Sequence, residues 1–463
     1  MGTKITKIKS YFNKYGLPKL CGKAIERAAD MGNYNAVRSR EAATKTELEE
    51  QRRYAFGRRP LISILMPVYN TEPKMLKQTL ESVLKQSYDN WQLCIADGGT
   101  DKAGCIIREV CGGDERVTYV CLEENLGISG NTNQALAVAK GDYVSFLDHD
   151  DVLEPDALFE TVRKIEECGA DMVYTDEDKV SPGLDKYFRP YRKPDFNKTL
   201  LLSNNYICHF CTIERRIVEQ AGGFRSRYDG AQDYDLFLRC IDKCRNIEHV
   251  AKVLYHWRTG GNSTSDNPFN KEYAFDAGKR ALEDYMETTR PGINVTVREL
   301  DDPGYYRIEL NDMLPNSCAA AFPEYDGKDD DILELDADYV LLLRTDMELP
   351  ADFVKAAVSR AYLTGADIIV PKITSGGFYL YNGIAKAGKS CTRSLKGKPS
   401  WFKGPFNMAA VDMEVNAVPK VGIMVKKSAL SAVLSSQGKH ISNLKGITKG
   451  LKMVYAPEIT IKI

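Results

Sequence analysis

The sequence predicts an α/β protein: a mostly parallel sheet flanked by helices, followed by a smaller, truncated α/β domain. Three observations lead there. From residue 59 on, apolar runs of strand length alternate with stretches of helical period. Polar residues stand immediately after several of those runs. A segment beginning at residue 142 also returns, ungapped, at residue 338.

Residues 1–58 read as a charged helical segment. Its first part carries seven Lys or Arg up to Arg27 against one Glu. That pattern suits a helix lying on an anionic membrane surface, and equally one packed on the following domain. The stretch "LISILMPVYN" is then a continuous apolar run closed by Pro67 and Asn70, as in a strand covered on both faces. "KMLKQTLESVLKQSY" has helical period, "WQLCIADGGTD" is a second strand with a turn after Asp97, and "RVTYVCLEE" is a third. "SGNTNQALAVAK" is a helix and "DYVSFL" a fourth strand. This rhythm implies right-handed crossovers, with ligands beyond the carboxyl ends of the strands. Asn70, Asp97 and Asp148 stand at such ends.

After the fourth strand come Asp148, His149, Asp150 and Asp151. Crowded like charges need a cation, and hard oxygen ligands suit Mn²⁺ or Mg²⁺ bridging to phosphates. A solvated turn is the plainer reading of D-x-D alone.

Bulk composition excludes other classes. A formal net charge of −1 offers no field for nucleic acid. No apolar run approaches the ~20 residues that span a bilayer, and no secretory h-region opens the chain. The expected location is the cytoplasm, in solution or at the inner face of the plasma membrane. The twelve cysteines then read as reduced thiols. Cys208 with Cys211 and Cys240 with Cys244 form close pairs near His209, but the spacing of a zinc site is not met, and packing is the default.

The blocks "SILMPVYN", "IADGGTD", "ENLGISGNTNQAL" and "GDYVSFLDHDD" resemble those of family 2 glycosyltransferases, inverting enzymes of the GT-A fold. "YTDEDKV", "NNYICHF", "GAQDYDLFLR" and "LYHWRTGGNST" continue the series over roughly residues 59–285. The resemblance implies a nucleoside-diphosphate sugar donor, a glycan or lipid-linked acceptor, and a divalent cation. It implies nucleotide-sugar contacts at Pro67, Val68, Tyr69, Asn70, Asp97, Asn131, Asp148, His149 and Arg258, and metal ligands at Asp150 and His256. His149 is alternatively the middle of the motif, pointing away, and His256 alternatively structural. The general base is implied at Asp233, with Asp235 the alternative, turned to a helix terminus. Glu177, Asp178 and Gln232 are assigned to the acceptor side, though "TDEDK" also reads as a solvated turn. Ala96, Gly99 and Gln232 stand where many members have Asp, Ser and Glu.

The repeat aligns residues 142–173 with 338–369 at a constant offset of 338 − 142 = 196. At that offset Asp148 becomes Arg344, His149 becomes Thr345, and Asp150 persists as Asp346. "VGIMVKKSAL" resembles "CTIERRIV", and "MVYAPEITIKI" aligns with "IEHVAKVLYHW", setting Lys462 at His256. Residues 59–289 are expected to be catalytic. Residues 290–463 are expected to be an inactive repeat that scaffolds the first copy or binds glycan. Two rival functions remain: a nucleotidyltransferase, which normally shows a Gly-rich basic loop after the first strand, and a sugar-nucleotide-binding pseudoenzyme.

Overall fold

The computed structural model describes residues 34–99, 102–259, 272–312, 314, 318–321, 333–387, 390–391, 394–419, 421–434 and 450–463. The basic stretch before residue 34 and "GGNST" lie outside them. The chain forms two units, one of residues 30–196 and 205–289, the other including 197–204 and 290–463.

The first unit opens with helices α1 (Tyr34–Glu41) and α2 (Lys45–Arg53), so residues 34–58 belong to it rather than standing apart. Then follow β1 (Ile62–Val68), α3 (Pro73–Leu84), β2 (Trp91–Asp97), α4 (Lys102–Cys111), β3 (Val117–Cys121), α5 (Gly127–Ala137) and β4 (Tyr143–Phe146). β1 and β2 are buried at every position, which is why they read as unbroken apolar runs. Strands 3-2-1-4 are all parallel.

Beyond β4 the pattern changes. β5 (Val152–Leu153), α6 (Ala157–Cys168), β6 (Met172–Val180) and β7 (Tyr187–Tyr191) come next. After α7 (Lys198–Leu201), which belongs to the other unit, follow β8 (Cys211–Glu214), α8 (Arg215–Gln220), α9 (Gln232–Ile241), β9 (Ile247–Arg258) and α10 (Glu272–Thr289). β8 lies antiparallel between β4 and β6, β9 joins β6 in parallel, and β5 and β7 pair antiparallel with β9 and β6. The sheet is therefore mixed past its parallel first half.

The register also makes a crevice. β4 pairs with β1 only as far as Leu65, whereas β1 stays paired with β2 through Val68. The Val68 carbonyl accepts from Gly98 on the β2 side. Pro67, one residue earlier, faces the side that β4 has left, so its missing N–H costs no ladder bond.

The second unit contains β10 (Val295–Glu299), β11 (Tyr306–Leu310), β12 (Cys318–Ala321), β13 (Tyr339–Leu342), α11 (Phe353–Thr364), β14 (Ile368–Ser375) and β15 (Phe378–Tyr381). The short strands β16 (Lys386–Ala387), β17 (Ser390–Cys391) and β18 (Met413–Glu414) precede β19 (Ile423–Lys426), α12 (Leu430–Leu434) and β20 (Met453–Lys462). Its order β12-β13-β19-β14-β20 has the same pairing senses as β1-β4-β8-β6-β9. Equivalent helices α6 and α11 end on left-handed glycines, Gly169 (φ 63°) and Gly365 (φ 70°).

Candidate functional site

At the β1 and β2 ends, Val68 is fully buried, Tyr69 is exposed, and Asn70 adopts a positive φ of 48°. Asp97 is buried and accepts hydrogen bonds from Gly99 N–H (2.8 Å) and the Tyr119 hydroxyl (3.0 Å). A Cβ on Gly99 would sit 2.9 Å from the Asn70 nitrogen, so the backbones meet too closely for a side chain such as serine. Asn131 is buried; it accepts from Leu126 N–H and donates to Asn125, pinning the loop before α5.

The acidic turn divides its labour. Asp151 is wholly buried and accepts from Arg258 N–H (2.7 Å) and the Tyr255 hydroxyl (2.5 Å). Burial, then Asp150 and Asp148, push its pKa well above the carboxylate range. It anchors the turn to β9. Asp148 keeps a side chain 42% exposed, and Asp150 is partly buried. Burial raises the Asp150 pKa, with His149 working against that rise and Asp148 adding to it. His149 hydrogen-bonds Thr71 at 2.8 Å, tying the acidic turn to the loop after β1.

Asp233 stands in the first turn of α9, its carboxylate held by the Asn205 amide at 2.8 Å. Burial raises its pKa against the opposing effects of His209 and Asn205, making it a stronger base than a free carboxylate. Gln232 accepts from Gly230 N–H and closes the turn before α9. Asp235 is buried between Arg225 and Arg239, a structural pair.

Three expected roles are corrected. His256 is not arranged as a metal ligand. Both ring nitrogens are taken, Nδ1 by Asp178 (2.6 Å) and Nε2 by Glu154 (3.0 Å). Burial opposes its charge, yet the two carboxylates hold its pKa at about 9, and an imidazolium has no lone pair to give. Asp178 is likewise buried, accepting from Tyr34 of α1 as well, so it does not line an acceptor surface. Glu177 is buried against Lys193 (3.1 Å); burial is outweighed by Lys193 and His209, and its pKa falls to about 2. Arg258 is buried, donating to Gln78 (2.6 Å), while Nε and Nη2 find no partner among the described residues. Those two nitrogens are themselves buried, beside Asp150 and Asp151.

His209 was missed as a site residue. It lies in "NNYICHF", but only the fold shows its ring between Asp148 and Glu177, at 3.6 and 3.7 Å. Burial disfavours its charge, and those carboxylates outweigh burial and raise its pKa well above the ordinary value.

Among the described residues no three His, Cys, Asp or Glu side chains gather into a metal cage. Mg²⁺-type sites commonly use one or two carboxylates and complete their shell with phosphate and water. Asp148 and Asp150, with the Asp150 charge strained by burial, fit that kind of donor set.

The family model for glycosyl transferase family 2 matches residues 63–221. An uncharacterized glycosyltransferase of Haemophilus influenzae is 32% identical over 216 residues, covering 45% of this chain and 84% of that protein. The O-antigen biosynthesis protein RfbC of Myxococcus xanthus is 32% identical over 246 residues, covering 52% of this chain and 19% of that protein. The chain spans about a quarter or less of the longer curated relatives it matches. A crystal structure of S. aureus TarS 1-349 in complex with UDP-GlcNAc is similar at TM-score 0.41 and 19% identity, over 50% of this chain and 67% of that one.

Proposed function

The chain belongs to glycosyltransferase family 2, and from that premise we propose that it moves a sugar from a nucleoside-diphosphate donor to a hydroxyl of a surface polysaccharide or lipid-linked glycan. The proposed reaction inverts the anomeric centre and uses Mn²⁺ or Mg²⁺. The observation that carries this reading is Asp233: a carboxylate of raised pKa, oriented by Asn205, in electrostatic reach of Asp148.

Inversion is a single displacement. The acceptor hydroxyl attacks the anomeric carbon while Asp233 takes its proton. Asp97, with its oxygens fixed by Tyr119 and Gly99, would face the base side of the donor. Asp148 and Asp150 would hold the divalent cation, which neutralises charge on the departing diphosphate when bound. Arg258, with Nε and Nη2 buried and unpartnered beside the acidic turn, would add positive charge near the same phosphates. Sequestered Asp151 keeps the turn in place without competing for ligand.

The similarity to an O-antigen biosynthesis protein supports a cell-envelope polysaccharide as the acceptor class. No helix among the described residues is long and apolar enough to cross a membrane. A peripheral place at the inner face of the plasma membrane fits a lipid-linked acceptor.

The test is Asp233→Asn. Transfer should fall by about 10²–10⁴-fold, while nucleoside-diphosphate binding by calorimetry stays as in the wild type. Normal turnover would remove Asp233 as the base.

A further inference from the structure

We propose that His209 is a positioning residue for donor binding: its imidazole holds the Asp148 carboxylate in the orientation that would receive the divalent cation and, through it, the diphosphate. This rests on the function proposed above and assigns it one more residue.

The fold commits several groups to aiming this ring. Lys193, with no exposed surface, donates to the carbonyls of Ile207 (2.6 Å) and His209 (2.5 Å) and to Glu177. Glu177 in turn accepts the His209 backbone N–H at 3.2 Å. The ring stacks on Tyr255 at 4.7 Å with planes 19° apart, and the Tyr255 hydroxyl is itself tied to Asp151. Backbone and ring face are thus both fixed, and Nε2 is left facing Asp148 Oδ2 at 3.6 Å. The His209 side chain is 20% exposed and that of Asp148 42%, so the pair opens towards solvent, where a ligand can reach it. The separation exceeds a hydrogen bond, leaving room for the carboxylate to close on the ring when donor loads.

The repeat supplies an internal control. Val144 pairs with Ile213 in the first copy, and Val340 with Val425 in the second. Counting back four residues from Ile213 and Val425 puts Val421 at the position of His209. At the offset of 196, Asp148 is Arg344 and Glu177 is Ile373. Imidazole, its target carboxylate and its backing carboxylate are all absent together. The stacking partner goes with them, since Ile461 stands opposite Ile373 where Tyr255 stands opposite Glu177, so the cluster is lost as one unit.

The experiment uses the full chain and two substitutions. His209→Phe keeps the stack on Tyr255 and removes the nitrogen; His209→Gln restores an N–H near the Nε2 position. Binding of UDP, dTDP, GDP, CDP and ADP, each with Mn²⁺, is measured by calorimetry, with melting of the unliganded proteins as the fold control. For the nucleotide that the wild type binds, Phe should raise Kd about tenfold or more, and Gln should recover part of the loss. Steady-state kinetics should show the change in the donor KM, with the acceptor KM unmoved. Wild-type affinity in a folded Phe variant would overturn the assignment and leave the transferase reading standing. A wild-type protein that binds none of the five would overturn both.

Discussion

The two copies share a ladder and differ in what hangs on it. In the first, β6 and β9 slip register between Thr175 and Asp176 and again between Asp176 and Glu177, and then pair Asp178 with His256. In the second, β14 and β20 slip between Pro371 and Lys372, and then pair Thr374 with Lys462. Since 175 + 196 = 371 and 178 + 196 = 374, the start of the irregularity and this later pair are equivalent. The short bridge from Val152 to His256 likewise returns as Glu348 to Lys462. Backbone geometry has outlived the carboxylates, so the strands do not need them. Ion pairs buried in a sheet are weak sources of stability, and apolar replacements are often no worse. Asp148, Glu154, Glu177 and Asp178 therefore ask for a reason in function, and the second copy shows the fold without them.

That comparison can be broken most sharply by Asp148→Arg, which writes the second copy's Arg344 into the first. Donor binding should weaken by more than the ~10–100-fold typical of a lost outer-sphere partner, measured by calorimetry with Mn²⁺. Binding left intact would mean that the acidic turn is not what distinguishes the copies.

Next in size is Lys193→Met. It strands buried Glu177 without its cation and should cost about 3–5 kcal/mol in urea unfolding. Adding Glu177→Ile, the residue at Ile373, should restore most of that stability while transfer stays impaired. If the double variant remains as unstable as the single, the buried pair is serving the fold.

The His256 cluster gives a pH signature that the second copy lacks. The pKa of His256 rises from 6.5 to about 9 on folding, so its stabilisation is complete below pH 6.5 and is lost as pH climbs through about 9. Glu154 has the opposite sense: its pKa is lowered, burial being outweighed by His256 and Arg38, so its share is lost in acid. Melting temperature should fall from pH 6.5 to 9, and His256→Gln should flatten that slope. An identical slope in the variant would contradict the assignment of a charged, carboxylate-held His256.

The smallest effect belongs to Asp346→Ala. Asp346 pairs with Arg344 on an exposed surface, and such pairs contribute little. Stability should change by less than about 0.5 kcal/mol, and turnover should not change. A large loss of turnover in the folded variant would restore catalysis to the second copy.

Much of this was legible in the chain. The buried strands announce themselves as apolar runs, the acidic turn follows a strand, and the constant offset reveals the repeat. Side-chain partners across long separations were not legible. His256 looked like a ligand because the sequence does not reveal that β6 sets Asp178 opposite it. Glu177 and Asp178 looked exposed because a run of charges reads as a turn, whereas they lie in β6 with Lys193, His256 and Tyr34 folded over them. His209 was weighed only beside the cysteine pairs, because its aim depends on Lys193 and Tyr255, neither of which a local motif connects to it. The third aspartate hid in the same way, its partners lying on β9.

The acidic turn of the first copy is expected to bind a nucleoside diphosphate together with a divalent cation. Thermal melting of the wild type and Asp150→Ala with UDP, dTDP, GDP, CDP and ADP, each with and without Mn²⁺, tests it most directly. Saturation at a hundredfold excess over Kd should stabilise the folded state by about 2.7 kcal/mol. A Mn²⁺-dependent rise in melting temperature is expected for one diphosphate in the wild type, and its loss in Asp150→Ala. No rise with any nucleotide, or an equal rise in the variant, would contradict it.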